Sequence, residues 1–492
     1  MSGIQITALV IILLYMAATI AIGLIVSRRK QAKAAGQSND DFLMASKSLG
    51  PVVLAGTLFA ANTGGASTTG IATNVHTYGL SACWYVIAAG IGFVLVSFIA
   101  PYFRKAQANT VPEIISKRYG KASHIFTAFT SIAALFMATG AQIIATASII
   151  NVVTGISFQT AAIITTVVVI IYTMVGGFAS VAAANMMHVL FITIGMTIAM
   201  FIMVNNGDVG GFSALFARAG EVSAAAGGGL DLLSMTKIGI PTVIGYIAMY
   251  CMTFPTGQEI VQTYCSAKNG KAAMTGSVIA GILSAVYAIV PAVIGLVAYT
   301  CIDGYALGGA QKNALAEATI NFAPPVVAGL VLAAIVAATM SSASGNMIGT
   351  ATMFTNDIFT PYINKGKKDD QKEVWISRVV MVIVGLVGLS VALTASNIIS
   401  VMMGAFALRS AGPFAAFICG IFYKNVTQRA GFISIVCGTA VAAVWIYALH
   451  TPWGLSAMVP GGIVAFAVIF LVSAVERGSG VPAAPEIQFE EE

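Results

Sequence analysis

The chain has 492 residues, of which 58% are hydrophobic and only 9% are charged. Soluble domains carry about 25% charged residues, so this composition excludes a water-soluble globular protein and favours one that faces lipid. The net charge of +6 is modest, and the positions of the basic residues, given below, explain it without a nucleic-acid partner.

Apolar runs follow one another along the whole chain, and about 20 apolar residues suffice to cross a bilayer. The first run lacks a preceding basic segment and is followed by Arg28 and Arg29, which indicates a retained span rather than a signal peptide. The predicted fold class is an all-α polytopic membrane protein. Its thirteen transmembrane helices are predicted at 6–27, 51–73, 79–103, 123–150, 158–177, 186–205, 236–267, 273–302, 324–358, 378–395, 397–423, 430–449 and 458–475, with a turn near Ser396.

Basic residues are concentrated in alternate loops. If the N-terminus lies outside, 20 of the 24 Lys and Arg residues fall in segments that face the cytoplasm. These segments are 28–50, 104–122, 178–185, 268–272, 359–378, 421–429 and the C-terminal tail. The positive-inside rule therefore predicts an external N-terminus and a cytoplasmic C-terminus in a multi-pass plasma-membrane protein, in a bacterium one of the inner membrane.

The predicted spans divide into two sets of five that enter the membrane from opposite sides. This is the plan of inverted-repeat transporters. The predicted domains are an extra helix with its cytoplasmic loop (1–50), repeat one (51–205), an external loop (206–235), repeat two (236–423), two extra helices (424–476) and a disordered cytoplasmic tail (477–492).

The leading span of each predicted repeat contains a sequence that is poor for a helix interior. These are residues 62–70 (NTGGASTTG) and 253–258 (TFPTGQ). Proline removes a backbone donor, and glycine costs about 1 kcal/mol against alanine in a helix. One such patch usually marks a simple kink, but two in corresponding helices predict paired breaks whose freed backbone groups bind ion and solute.

A hydroxyl-rich stretch lies in the third helix of repeat two, where Thr339, Ser341, Ser342 and Ser344 occur within six residues. Sodium is a hard cation that prefers oxygen ligands, which hydroxyls and the carbonyls of a broken helix can supply. The alternative is that these hydroxyls bond back to the preceding turn of their own helix.

Several short motifs follow one another over residues 40–450. They are DF at 41–42 with SLG at 48–50, YTMVGGF at 172–178, QEIVQT at 258–263 with AK at 267–268, AATMSS at 337–342 and FTNDIF at 354–359. In this order and spacing they resemble the sodium:solute symporter family, which includes proline, galactose, pantothenate and choline transporters.

The resemblance implies a core of five plus five inverted helices with extra spans at each end. It also implies a sodium site formed by the carbonyls of Ala60, Thr63 and Ala338 and the hydroxyls of Ser341 and Ser342. One departure concerns sodium release, because Asn185 stands where the family often has an aspartate, and His188 replaces a common glutamine. Sodium is therefore the expected cofactor, while looser coupling or proton coupling stays open.

The solute is expected between the two breaks. Candidate binding residues are Asn62, Gly65, Ser67, Thr256, Gln258, Glu259 and Arg409. Glu259 and Arg409 are formally charged deep in predicted spans, where a charge indicates function. Arg409 is predicted either to bind a solute carboxylate or to pair with Glu259. Choline is disfavoured because Asn62 occupies the position of a tryptophan in the choline transporters' aromatic cage.

The function predicted is sodium-coupled symport of a small organic solute, with an amino acid or organic anion favoured. The alternatives are an uncoupled or proton-coupled permease, a channel, or a solute sensor with the same fold. The chain has no HExxH motif and only four scattered histidines, which argues against an enzyme. The expected partners are the solute and membrane lipid, with no nucleic acid and no obligatory protein partner.

Overall fold

A computed structural model of the protein describes residues 3–33, 49–106, 110–227, 230–306, 313–367, 370–395 and 397–487, with the backbone alone for 20, 22–33, 175–187 and 370. Every regular element in these residues is a helix. The predicted turn at Ser396 and the motif residues before Leu49 lie outside the described residues.

The helices in chain order are α1 (Gly3–Lys33), α2 (Pro51–Asn62), α3 (Ile71–Tyr78), α4 (Trp84–Val96), α5 (Ala100–Lys105), α6 (Val111–Thr154), α7 (Phe158–Leu190), α8 (Met196–Val204), α9 (Gly211–Ala225), α10 (Ile240–Thr253), α11 (Gln258–Cys265), α12 (Gly270–Tyr287), α13 (Ile289–Cys301), α14 (Ala314–Phe322), α15 (Pro325–Met353), α16 (Asp370–Thr394), α17 (Ile398–Ser410), α18 (Pro413–Phe422), α19 (Gln428–Tyr447) and α20 (Met458–Gly478). Three π-helical stretches continue these helices, at Ala66–Gly70, Phe191–Gly195 and Phe354–Ile363, and two 3₁₀ turns lie at Gly79–Cys83 and Pro452–Gly454.

The helices are long and apolar enough for a multi-pass membrane protein. Among the described residues, seven helices could each cross a membrane, and an eighth is formed if α17 and α18, which meet at 44°, count as one bent span. Large apolar side chains such as Phe129 (70% exposed) and Leu471 (68% exposed) point away from the protein. A surface of this kind suits lipid.

Local sequence signals set several helix ends. The side chains of Thr110, Asn269, Asn313 and Thr427 each accept a hydrogen bond from a backbone N–H in the first turn of the following helix. These polar residues satisfy donors that a helix start leaves unpaired. At the other end of α6, Gly155 takes a left-handed conformation that favours glycine (φ 76°).

The start of one helix and the end of a distant one are joined by backbone pairing. The Leu49 amide donates to the Ser266 carbonyl at 3.0 Å, and the Lys268 amide donates to the Leu49 carbonyl at 2.9 Å. Leu49 precedes α2 and Ala267 follows α11, so this short parallel bridge ties the two helices together.

The loop predicted at 178–185 lies inside α7, whose backbone is helical from Phe158 to Leu190. Two further segments also differ from their predicted structure. The external loop predicted at 206–235 contains the helix α9, which buries Leu215 and Ala219. The tail predicted to be disordered is packed up to Ile487: the Ala484 amide donates to the Val426 carbonyl, and the buried Arg118 donates to the Pro485 carbonyl at 2.9 Å. Both segments are held by contacts with distant parts of the chain, which composition does not reveal.

Candidate functional site

One cavity lies among the central helices. The centre of a water molecule can occupy about 110 Å³ of this cavity. By the same measure, a single water needs roughly 10–15 Å³. The cavity therefore holds several waters or a small solute. Its walls come from α2, α4, α6, α10, α11, α15 and α17, together with the two helix interruptions described next.

The first interruption lies between α2 and the π-helical stretch Ala66–Gly70. Helix α2 ends at Asn62, and Thr63 adopts a non-helical conformation (φ −93°, ψ 69°). The Gly65 amide donates to Oε1 of Gln142 on α6 at 2.8 Å, so a side chain replaces the lost helical partner. A Cβ at position 65 would lie 2.3 Å from Cβ of Ala145, and only glycine permits this approach.

The residues expected to bind sodium lie together around this interruption. A second, very small pocket is lined by Ala60, Thr63 and Ala338, while Ala60, Ser341 and Ser342 line the central cavity. Each of the five residues lines one of these two pockets, and Ala60 lines both. Carbonyl and hydroxyl oxygens are the ligands that a hard cation prefers, so the donor set fits sodium.

The second interruption lies between α10 and α11, as the proline and glycine at 255 and 257 predict. Helix α10 ends at Thr253 and α11 begins at Gln258, with Gly257 in an extended conformation. A Cβ on Gly257 would lie 2.8 Å from Nη2 of Arg409. The glycine therefore leaves space for the arginine beside the broken helix.

Arg409 on α17 is paired with Glu259 on α11. Its Nη1 and Nη2 donate to the two carboxylate oxygens at 3.0 and 2.8 Å, and its Nε donates to the Thr253 hydroxyl at 3.1 Å. The Arg409 side chain is 4% exposed and that of Glu259 is 28% exposed. Of the two roles predicted for Arg409, this geometry matches the pair with Glu259, whose carboxylate is partly open to the cavity.

The other expected solute residues divide between the cavity and the surrounding structure. Asn62, Ser67 and Gln258 line the cavity, whereas Gly65 and Thr256 are not part of its wall. The Thr256 hydroxyl bonds to Ser410 at 2.7 Å. Ser67 donates to the Asn62 carbonyl at 2.7 Å, and the Gln258 side chain accepts from the Val111 amide at 3.1 Å. The side chain of Asn185 lies outside the described residues.

Sequence reasoning missed Gln142 and most of the aromatic wall. Tyr85, Tyr250, Phe254 and Phe406 line the cavity, and the guanidinium carbon of Arg409 lies 4.9 Å from the centre of the Phe406 ring. Trp84 is not among the lining residues; its indole donates to the Met235 carbonyl. These aromatic residues occur in apolar runs that look like ordinary span sequence. Gln142 is a lone amide in such a run, and that was the one available signal.

Acidic, cysteine and histidine side chains do not form a metal cluster anywhere in the part of the chain that the structure describes. A transition-metal centre of the kind found in hydrolases therefore has no set of ligands among these residues. The site that is present offers neutral oxygens at one helix interruption and an ion pair at the other. This arrangement suits binding and release rather than bond-making chemistry.

Comparison with known proteins identifies relatives over most of the chain. The model of the sodium:solute symporter family matches residues 42–438. A sodium/glucose cotransporter of Vibrio parahaemolyticus is 26% identical over 476 residues, covering 89% of this chain and 85% of the relative. The osmoregulated proline transporter OpuE of Bacillus subtilis (strain 168) is 22% identical over 451 residues, covering 89% and 90%. The substrate-bound, outward-open structure of a Na⁺-coupled sialic acid symporter shares the fold, with a TM-score of 0.77, 18% identity and 98% coverage of each chain.

Proposed function

The chain belongs to the sodium:solute symporter family, and from this premise we propose that it is a secondary active transporter that couples uptake of an amino acid to sodium. Sodium is a transported substrate in this proposal. The observation that carries it is the meeting of two interrupted helices at one cavity, with the hydroxyl pair Ser341 and Ser342 on the facing helix. Interrupted helices near a membrane centre supply free backbone groups to ions and solutes.

The proposed ion site uses the carbonyls of Ala60, Thr63 and Ala338 with the two serine hydroxyls. The supporting observation is that these residues line two adjoining pockets at the first interruption. Neutral oxygens can replace the hydration shell of a sodium ion without adding a countercharge that would hold it too tightly to leave. Asn185 stays a proposed residue of the release path.

The proposed architecture is thirteen membrane helices, with inverted repeats at 51–205 and 236–423 and an external N-terminus. It is supported by the occurrence of one interruption near the start of each proposed repeat. The cavity wall extends from the interruptions to Thr57 on α2, Gln262 on α11 and Gly349 on α15. These positions lie toward the basic loops, so we infer that the cavity opens to the cytoplasmic side.

The ion pair and the aromatic wall support an amino acid as the solute. An organic anion would approach a guanidinium whose charge is already paired with Glu259 and three of whose five N–H donors are engaged. A zwitterion instead presents an ammonium group to the partly exposed Glu259 carboxylate, while its own carboxylate lies near the arginine. The proline transporters among the relatives agree with this class. Asn62, Ser67 and Gln258 are the further proposed contacts.

Transport by purified protein in liposomes tests this proposal. We expect an inward sodium gradient to drive accumulation of a radiolabelled amino acid above equilibrium, and Ser341→Ala with Ser342→Ala to abolish it. Ser390→Ala, which removes an exposed hydroxyl on α16, is the matched control and should transport normally. Accumulation driven by a proton gradient without sodium, or only downhill flux, would instead identify the proton-coupled or uncoupled alternative. Binding without flux would identify a sensor.

A further inference from the structure

His188 on α7 is a buried histidine that contacts α1, a helix outside the two proposed five-helix repeats. Its side chain is 2% exposed, and Nδ1 lies 3.2 Å from the hydroxyl of Tyr15 on α1. Tyr15 is itself buried and packs edge-on against Phe191. The other ring nitrogen, Nε2, is buried and has no hydrogen-bond partner among the residues that the structure describes. Tyr15 therefore orients the imidazole and leaves one nitrogen available.

The available nitrogen belongs to the small pocket at the first helix interruption. His188 lines this pocket together with Ala60, Thr63 and Ala338. Thr63 is 1% exposed, and its hydroxyl oxygen is likewise buried without a partner. The pocket has no room for the centre of a water molecule. Two residues with unsatisfied polar atoms, His188 and Thr63, thus line one small pocket together with Ala60 and Ala338 of the proposed ion site.

Buried polar atoms are rarely left without partners, because the desolvation of each one is unfavourable. When the Nδ1 proton is donated to the Tyr15 oxygen, Nε2 carries a lone pair, as the threonine hydroxyl oxygen does. The two residues line one pocket, and no hydrogen bond within the described residues satisfies either of these atoms. A dehydrated cation satisfies both atoms at once.

We propose that Nε2 of His188 and Oγ1 of Thr63 are further ligands of the cation at the first interruption, and that Tyr15 is a positioning residue that fixes the imidazole. The inference rests on the proposed function, since it extends the same ion site. It assigns helix α1 a part in ion binding, although α1 lies outside the predicted inverted repeats. A nitrogen ligand is softer than oxygen, so it also gives the site a basis for distinguishing among monovalent cations.

Sodium-dependent thermal stabilisation of the purified protein tests the inference without any transport assay. The measurement is made at about pH 8, where a histidine with an ordinary pKa is neutral. Because removing the groups that support metal ligands typically weakens metal binding 10–100-fold, we expect His188→Leu, Thr63→Val and Tyr15→Phe each to weaken sodium affinity about tenfold. His188→Gln, which replaces the nitrogen with an amide oxygen, should restore affinity to near that of the parent protein.

Matched control variants distinguish the loss of a cation ligand in the pocket from a general loss of side-chain packing. His76→Leu removes an imidazole that bonds to the Ala306 carbonyl elsewhere, and Tyr447→Phe removes an exposed phenol hydroxyl. Both should bind sodium like the parent protein. If His188→Leu does not fold, the sodium affinity of the nearly isosteric Thr63→Val variant tests the inference instead.

Two different failures can be told apart by the parent protein and Ser341→Ala. If the parent protein gains no stability from sodium, the proposed function fails. If the parent gains stability and Ser341→Ala does not, while His188→Leu and Thr63→Val keep the parent's affinity, the proposed ion site stands and this extension of it is wrong.

Discussion

The two helix interruptions line the same cavity but have opposite surroundings. At the first, the freed backbone meets neutral groups: Gln142 accepts from the Gly65 amide, and Ser67 donates to the Asn62 carbonyl. At the second, the neighbouring groups are the ion pair of Arg409 and Glu259. One plan of broken helices thus supplies two kinds of surroundings, neutral polar groups at the proposed cation site and a dipolar ion pair at the proposed zwitterion site.

The glycines at the two interruptions show the same contrast. The space beside Gly65 is limited by Cβ of Ala145 on α6, whereas the space beside Gly257 is limited by the end of the Arg409 side chain and by the Thr253 carbonyl. The first glycine is a helix-packing requirement, and the second leaves space for a polar group. Changes at the first interruption should therefore affect folding, and changes at the second should affect solute binding.

The largest effect is expected from Arg409→Gln. The change leaves the Glu259 carboxylate without its partner, which costs about 3–5 kcal/mol for a fully buried pair and less here because Glu259 is 28% exposed. We expect amino acid uptake to fall at least about 100-fold, because a charge-assisted contact is lost together with the shape of the cavity. Sodium-dependent stabilisation, measured by thermal unfolding, should persist because the ion site lies at the other interruption.

The double variant Arg409→Gln with Glu259→Gln is the control for this prediction. It removes both charges and should regain the stability of the parent protein without regaining transport. Equal uptake by the single variant and the parent protein would contradict a role for the pair in solute binding.

A smaller effect on stability is expected from Gly65→Ala. The added methyl group collides with Ala145, and overpacking of this kind costs about 1–3 kcal/mol. Thermal unfolding should therefore occur at lower temperature, and Ala145→Gly in the same chain should restore most of the loss. Gly257→Ala provides the comparison across the two interruptions: it should reduce solute affinity more than it reduces stability. The opposite ranking would show that the two glycines do not differ as proposed.

The smallest effect is expected from Gln142→Leu. The Gly65 amide loses its acceptor, and an unsatisfied buried donor costs about 1–3 kcal/mol, toward the lower end here because the adjacent cavity admits water. Sodium affinity should fall modestly because the interrupted backbone is less well ordered. Gln142→Glu keeps an acceptor oxygen at the same position and should retain more stability than the leucine variant, as thermal unfolding with and without sodium would show. If the leucine variant has the stability and the sodium affinity of the parent protein, Gln142 does not stabilise the first interruption.

The composition and motifs predicted the all-helical membrane class and the positions of both interruptions, because glycine and proline act locally. The grouping of Ala60, Thr63, Ala338, Ser341 and Ser342 came from the family resemblance rather than from any periodic pattern. The choice between the two roles of Arg409 required coordinates, since Glu259 is 150 residues away in the chain.

Other features could not be predicted from the sequence, although Gln142 stands out as a lone amide in an apolar run. The capping of the first interruption by Gln142 and the aromatic wall of the cavity depend on which helix faces meet, and hydropathy does not encode this. The same reason applies to the packed segment that ends at Ile487, whose backbone bonds to Arg118 and Val426 are long-range.

The backbone bridge between Leu49 and Lys268 has a mechanical consequence. It fastens the base of α2 to the base of α11, so neither half-helix can swing outward alone without breaking two hydrogen bonds. Movement of α2 and movement of α11 are therefore coupled through this bridge. In the proposed transport cycle, a cation released beside α2 and a solute released beside α11 would therefore leave during the same movement of the two half-helices.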